Sequence, residues 1–272
     1  MQDSNHHSRI RQIYQKIIAQ NRIEYSPENL KRSAIIFAPH PDDETLGCGG
    51  TMIRKKQAGA EIKVVFMTDG SQSHAHLISA AELKSIRAQE ALAAAQKLGL
   101  SETDIIFLNV RDGTLANYQE IAIKNVAKIL LKYLPEEIFV PYSQDGIPDH
   151  NATTYIAGSA LRRCGFNSTV YEYPIWFFNH WPWVPFEGNF KTFVSTLSRN
   201  LKYSFHFLKT FKCSVDIRDV LEQKQAALAE HKSQVTQLIP NPQWLTLQDI
   251  SQGQFLNCFF QNHELFRSSD LK

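Results

Sequence analysis

The sequence predicts an α/β protein, a Rossmann-like three-layer sandwich with a mostly parallel sheet and a less regular C-terminal part. Three observations predict it. Short apolar runs at 34–38, 62–67, 105–110 and 137–140 have the length and composition of buried strands. Stretches of helical periodicity separate them, as crossovers between parallel strands require. Each run then empties into a polar cluster, and in open α/β sheets the ligand crevice lies at the carboxyl ends of the strands.

In chain order, Ile10, Ile13, Tyr14, Ile17 and Ile18 recur at helical spacing, so residues 10–23 read as an amphipathic helix that stops near Ser26-Pro27. The first strand, 34–38, leads into Pro39-His40-Pro41-Asp42-Asp43-Glu44. The run Leu46-Gly47-Cys48-Gly49-Gly50-Thr51-Met52 then reads as a helix whose small residues let it press close to the strands. A second strand at 62–67 is stopped by Thr68-Asp69-Gly70. Residues 80–98 form a helix carrying Arg87 and Glu90, with Gly99 as its C-cap. The third strand runs into Arg111-Asp112-Gly113, and a helix follows at 121–133. The fourth strand empties into Pro141 through His150, ahead of a helix at 151–164.

Beyond that point the pattern is less regular. A strand is expected at 169–176, a last strand at 212–217 and a helix at 220–231, with mixed structure after Pro240. Residues 177–212 read as an aromatic and basic insertion or cap within one domain spanning 1–272. There is no acidic residue between Glu187 and Asp216, whereas Lys191, Arg199, Lys202, Lys209 and Lys212 alternate with Phe and Leu. A cap packed on the sheet with a solvated lysine face is the plain reading; peripheral contact with an anionic membrane surface is the functional one.

At 272 residues and 43% hydrophobic content the chain can bury a sizeable core. A formal net charge of +2 supplies no field for nucleic acid. Cys48, Cys164, Cys213 and Cys258 form no C-x-x-C pair, so a reduced, cytoplasmic setting is expected. Gly47-x-Gly49 lacks the third glycine of a dinucleotide fingerprint and follows carboxylates that would repel a pyrophosphate.

His40, Asp43 and His150 suit a divalent metal. Two imidazoles and one carboxylate leave open positions for water and substrate, as in hydrolytic zinc sites and also in non-haem iron sites. Two prolines stiffen the turn around His40. Asp42 and Asp43 are adjacent like charges, which a bound cation would offset. Asp42, next to a ligand but pointing elsewhere, is then free to take a proton from water. The bland reading is a strand-end turn with an Asp as helix N-cap. For Arg87 and Glu90 it is a surface ion pair, for Asp112-Gly113 turn chemistry, for His74-x-His76 a solvated loop, and for His231 a buried, hydrogen-bonded residue.

Ala38-Pro-His-Pro-Asp-Asp-Glu44 after the first strand, with Pro148-Asp-His150 after the fourth, resembles the LmbE/PIG-L family of zinc-dependent N-acetylglucosaminyl deacetylases. Arg87-x-x-Glu90, Asp112-Gly113-x-Leu115 and Lys224-x-x-Ala227-Leu228-x-x-His231-x-Ser233-Gln234 look like family signatures in family order, so the resemblance covers residues 33–235. It implies a hydrolase that removes an N-acetyl group from a small amino sugar or its conjugate. His40, Asp43 and His150 would hold Zn2+ or, with the same donors, Fe2+ or another divalent ion. Asp42 would be the general base, Arg87 and Asp112 would grip substrate, and Asp149 would orient a neighbouring side chain. One position departs from the family pattern. Many members have His-Pro-Asp-His where this chain has Ile147-Pro148-Asp149-His150, and isoleucine can neither stabilise an oxyanion nor give a proton. Losing one oxyanion donor costs on the order of 100- to 1000-fold in rate. Three outcomes stay open: Asp42 returns its own proton, or His74, His76 or His180 substitutes, or the activity is weak. A non-catalytic sugar- or metal-binding relative is the alternative from a different class, and a hydrolase of another bond, such as a phosphoester, is the third.

Overall fold

The structure is a computed structural model that describes residues 2–180, 182–184, 201 and 204–269. Its eight strands are β1 (Ile23–Glu24), β2 (Ala34–Ala38), β3 (Ile62–Thr68), β4 (Ile105–Val110), β5 (Glu137–Pro141), β6 (Thr169–Tyr173), β7 (Cys213–Asp216) and β8 (His263–Ser269). They form one sheet in the order β1-β7-β8-β6-β5-β2-β3-β4. Every pairing is parallel except those of β8, which runs antiparallel to both β6 and β7.

Both faces of the sheet are covered, which explains why β2 reads as a continuous apolar run. All five of its residues are buried, and alternate side chains enter opposite cores. Ala34, Ile36 and Ala38 pack with α3 (Asp43–Gln57) and α4 (Ala80–Lys97). Ile35 and Phe37 pack with α5 (Gln119–Tyr133) and α6 (Pro148–Cys164). From β2 the chain winds outward through β3 to β4, then returns to the other side of β2 as β5 and β6. The order therefore reverses between β2 and β5, and that switch point is where such sheets bind ligands.

The small residues of α3 do what their pattern predicts. A Cβ on Gly47 would collide with the Tyr173 ring, and one on Gly50 with the Ile217 side chain. Tyr173 uses the approach to place its hydroxyl on the Phe37 carbonyl at 2.8 Å.

Several boundaries differ from the sequence expectation. The N-terminal helix α1 (Gln2–Asn21) ends before Ile23, which pairs with Cys213 at the sheet edge, and the short helix α2 (Pro27–Leu30) follows. The strand expected at 169–176 stops at Tyr173, because the Asp145 carboxylate accepts the backbone N–H groups of Ile175, Trp176 and Phe177 and turns the chain into a short 3-10 helix. The helix expected at 220–231 ends earlier, as α7 (Leu221–Leu228), and α8 (Lys232–Val235) follows. The strand expected at 212–217 is present as β7 but is not the last. β8 lies 47 residues beyond its end (216 to 263) and is inserted between β6 and β7. Of the cap expected at 177–212, only 177–180, 182–184, 201 and 204–212 fall within the described residues; residues 204–210 are helical and bury Phe207. No described helix is long and apolar enough to cross a membrane.

Alanine for glycine ordinarily gains about 1 kcal/mol in a helix interior. At Gly47 the clash with Tyr173 outweighs this, since overpacking a close-packed core costs about 1–3 kcal/mol. Gly47→Ala is expected to lower the urea midpoint of unfolding, with an unchanged denaturant slope.

Candidate metal centre and cleft

The site starts from the way β2 ends. Once the apolar run stops at Ala38, the Pro39 carbonyl is taken by Thr68 at the end of β3, through its N–H at 3.0 Å and its hydroxyl at 2.7 Å. His40 is thereby fixed over the carboxyl end of the sheet. Asp42 follows with φ of 141°, a conformation that non-glycine residues rarely hold. It stands at the N-cap position of α3, yet its side chain makes no capping bond. The N-cap reading of this turn therefore does not describe Asp42.

The second half of the site comes from β5, which delivers Asp145, Asp149 and His150 through the turn that begins α6. The Asp43 carboxylate joins the halves. Its Oδ2 lies 3.2 Å from His40 Nδ1 and 3.3 Å from His150 Nε2. It also accepts the His40 backbone N–H at 3.0 Å. Each ring has another carboxylate on its far nitrogen. His40 Nε2 is 3.1 Å from Asp112 and 3.5 Å from Asp149, and His150 Nδ1 is 2.8 Å from Asp145. An outer carboxylate that takes an N–H leaves the inner nitrogen's lone pair aimed inward, the arrangement by which histidines are oriented toward metals.

His150 tests whether a cation fits. The residue is fully buried, Asp145 faces its outer nitrogen, and the inner nitrogen Nε2 has no hydrogen-bond partner among the described residues. A buried polar atom without a partner is costly. The inner nitrogen faces an anionic oxygen across a gap that a divalent ion would fill. His40, Asp43 and His150 offer ligand atoms that all lie within 4.8 Å of one another, so the donors suit such an ion.

Electrostatics separates the two aspartates. Burial raises the Asp43 carboxyl, but the charges and contacts of His150 and His40 outweigh it and hold its pKa well below the ordinary range. Burial also raises Asp42; Arg87 opposes this, Asp43 adds to it, and the pKa is pushed up to about 6. His150 shows the converse. Burial would lower it, but the Asp43 charge and the Asp145 contact push it up to about 9.

Arg87 is buried, with its guanidinium 3.3 Å from Asp42 Oδ1 and bonded to the carbonyls of Pro41 and Gly70. Glu90 does not serve as its surface partner: that carboxylate accepts the N–H and hydroxyl of Ser233. Asp112 sits on His40 and accepts the Gln72 N–H at 3.0 Å. Asp149 accepts the N–H groups of Gly113 and Leu115, tying the β4 turn to the start of α6.

These groups open into a cleft of about 460 Å³. Ile147, Trp176, Leu247 and Phe255 line it, together with Ser73, His74, Gln234 and Thr246. The loop of His74 is not solvated as its sequence suggests. His74 is buried, stacks on Trp244 at 4.2 Å and lies 2.9 Å from the Leu245 carbonyl. His76 lines the cleft, whereas His180 lies outside that lining. Glu44 reads in the sequence as a structural first-turn carboxylate, and it is one; Asp145 and the wall from Gln243 to Ile250 carry no reading of their own in the sequence. Asp145 stood within the polar run after β5 and could have been noticed there; the wall's ordinary side chains carry no signal.

Two imidazoles and a carboxylate converge at the switch point of the sheet as a group that could hold a metal ion, beside a second carboxylate of raised pKa. Comparison with known proteins narrows this. Residues 35–161 match the family PIG-L, GlcNAc-PI de-N-acetylase, and in that stretch the chain is similar to the LmbE/PIG-L group. A diacetylchitobiose deacetylase of Thermococcus kodakarensis is 26% identical, over 76% of this chain and 72% of the relative. A 1D-myo-inositol 2-acetamido-2-deoxy-alpha-D-glucopyranoside deacetylase of Rhodococcus opacus is 23% identical, over 82% of this chain and 88% of the relative. Among solved structures, the N,N'-diacetylchitobiose deacetylase of Pyrococcus horikoshii superimposes with a TM-score of 0.63 at 22% identity, covering 97% of this chain and 92% of its own. The hydratase GalB of Pseudomonas putida superimposes with a TM-score of 0.61 at 16% identity, covering 88% and 96%. The fold is therefore shared by enzymes of different reactions.

Carboxylates behind metal-binding histidines typically contribute 10- to 100-fold to metal affinity. Asp145→Asn is expected to weaken Zn2+ binding by about that factor, measured by competition with a chromophoric chelator, while the far-ultraviolet circular dichroism stays unchanged.

Proposed function

We propose that this chain is a zinc-dependent N-deacetylase that removes the acetyl group of an N-acetylated amino sugar or its conjugate, giving acetate and a free amine. The observation that supports it most is the convergence of His40, Asp43 and His150 with Asp42 alongside, in a cleft open to a sugar-sized molecule. The family match and the two relatives' named activities supply the reaction class. His40, Asp43 and His150 would hold the ion; Fe2+ would suit the same donors. Such an ion supplies Lewis-acid polarisation of the acetamide carbonyl and a more acidic water.

The chain's own residues do the rest. Asp42 is the one carboxylate of the adjacent pair that no imidazole occupies, and burial raises its pKa from the ordinary carboxylate range, which favours a group that takes up a proton. It takes the proton of the attacking water. Arg87 holds its Oδ1 and so fixes which way the carboxylate faces. Ile147 lines the cleft and has no proton to give. His74 is committed to the Leu245 carbonyl and burial lowers its pKa, so it makes a poor acid. With His76 also turned to a backbone carbonyl, that of Gln243, the proton on Asp42 passes to the departing nitrogen, and one residue serves as base and then acid. Arg87 and Asp112 both line the cleft, and beyond their internal contacts they offer charged groups to sugar hydroxyls.

Acetate release from N-acetylglucosamine and a panel of its conjugates tests the reading. Parent protein is expected to turn over at least one of them, to stop on chelation and to recover with Zn2+. Asp42→Asn is expected to lose about 100- to 10,000-fold in kcat while still binding metal. Metal bound at one equivalent with no turnover on any conjugate would favour the binding-only relative. Ile147→His supplies the donor that this chain lacks, and it is expected to raise kcat by up to about 100-fold, within the range that one oxyanion donor contributes.

A further inference from the structure

Asp42 is held in its unusual backbone conformation by something, and that support lies outside the metal ligands. Its N–H donates to Glu44 Oε2 at 3.0 Å. The other oxygen of Glu44 accepts the Thr45 hydroxyl at 2.6 Å and lies 3.1 Å from His231 Nε2. Glu44 is 2% exposed, and Thr45 and His231 are fully buried. A buried carboxylate with one oxygen on the backbone of residue 42 and the other on an imidazole 187 residues away is a fixed strut.

The strut is itself anchored. The His231 carbonyl accepts the N–H groups of Gln234 and Val235, so the ring projects from the start of α8. Two residues on, Ser233 is bonded through N–H and hydroxyl to Glu90 at 2.7 and 2.6 Å. Glu90 is one turn along α4 from Arg87, which holds the Asp42 carboxylate. Residues 231–233 thus brace both grips on Asp42, one on its backbone and one on its side chain.

We propose that His231 is a positioning residue: through Glu44 it locks the φ of Asp42 and so aims the carboxylate that carries the proton. The kinetic consequence rests on the deacetylase reading; the structural one does not. His231 touches neither the cleft nor the metal ligands, so its loss should spare substrate and metal binding and slow the proton-transfer step.

The test compares His231→Phe, which keeps a ring but removes the donor, with His231→Gln, which restores an N–H. In His231→Phe we expect kcat to fall at least tenfold with KM and zinc stoichiometry within twofold of the parent, and His231→Gln to recover most of the loss. An unchanged kcat in His231→Phe, or an equal collapse of kcat, KM and metal content in both variants, would overturn the proposal. A second readout needs no substrate. In protein labelled with 15N-aspartate, the Asp42 amide, identified by its disappearance in Asp42→Asn, should lie downfield in the parent, move upfield in His231→Phe and return in His231→Gln. An amide that does not move in His231→Phe would sink the proposal even if the parent turned over no substrate, whereas a shift without any turnover would retire the deacetylase reading alone.

Discussion

The structure depends on a single buried carboxylate. Asp43 sits between two imidazoles, one presented from the end of β2 and one from the turn after β5, at the place where the strand order reverses. Charges buried this deeply need partners, and removing one partner of a buried pair typically costs 3–5 kcal/mol. That constraint explains the shape of the surroundings. Asp145 faces the far side of His150 and also turns the chain after β6, while Asp149 ties the β4 turn to α6. Each polar group behind the centre thus has a second task in the fold.

The C-terminal third serves as a mount for this centre. Lys224, fully buried on α7, donates to the carbonyls of Leu46 and Phe259 and pairs with Glu264 at 2.7 Å. Glu264, on β8, also accepts the N–H groups of Gly50 and Thr51. β8 therefore fastens α3, the helix that starts at Asp43, onto the sheet from behind. The close approach at Gly47 and Gly50 is the steric counterpart of this fastening.

Much of this was legible in the sequence. β2, β3 and β5 stand out because strands buried on both faces are largely apolar, the half-buried edge strand β4 stands out by its run Ile105 to Leu108, and His40, Asp43 and His150 stand out because each lies in a short motif after β2 or β5. β8 does not: His263-Glu-Leu-Phe-Arg-Ser-Ser269 has no apolar run, and its place between β6 and β7 comes from pairing with residues far away in sequence. The end of β6 was misplaced for a related reason, since the Asp145 carboxylate that turns the chain lies 30 residues upstream of Ile175. The signature from Lys224 to Gln234 was visible as a pattern, but its meaning lay in contacts with Glu44, Glu90 and Glu264 that no local rule supplies. Arg87 and Asp112 were expected to face substrate; the structure shows them first engaged with Asp42 and His40.

The fold alone does not choose the reaction, because deacetylases and a hydratase share it. What distinguishes this chain is whether the three converging ligands hold an ion. The most direct measurement is a titration of metal-free protein with Co2+, followed by its visible absorption. One equivalent should saturate a d–d band that is lost in His150→Ala and displaced by Zn2+. A protein that develops no band, or one whose band survives the loss of His150, would contradict the centre described here.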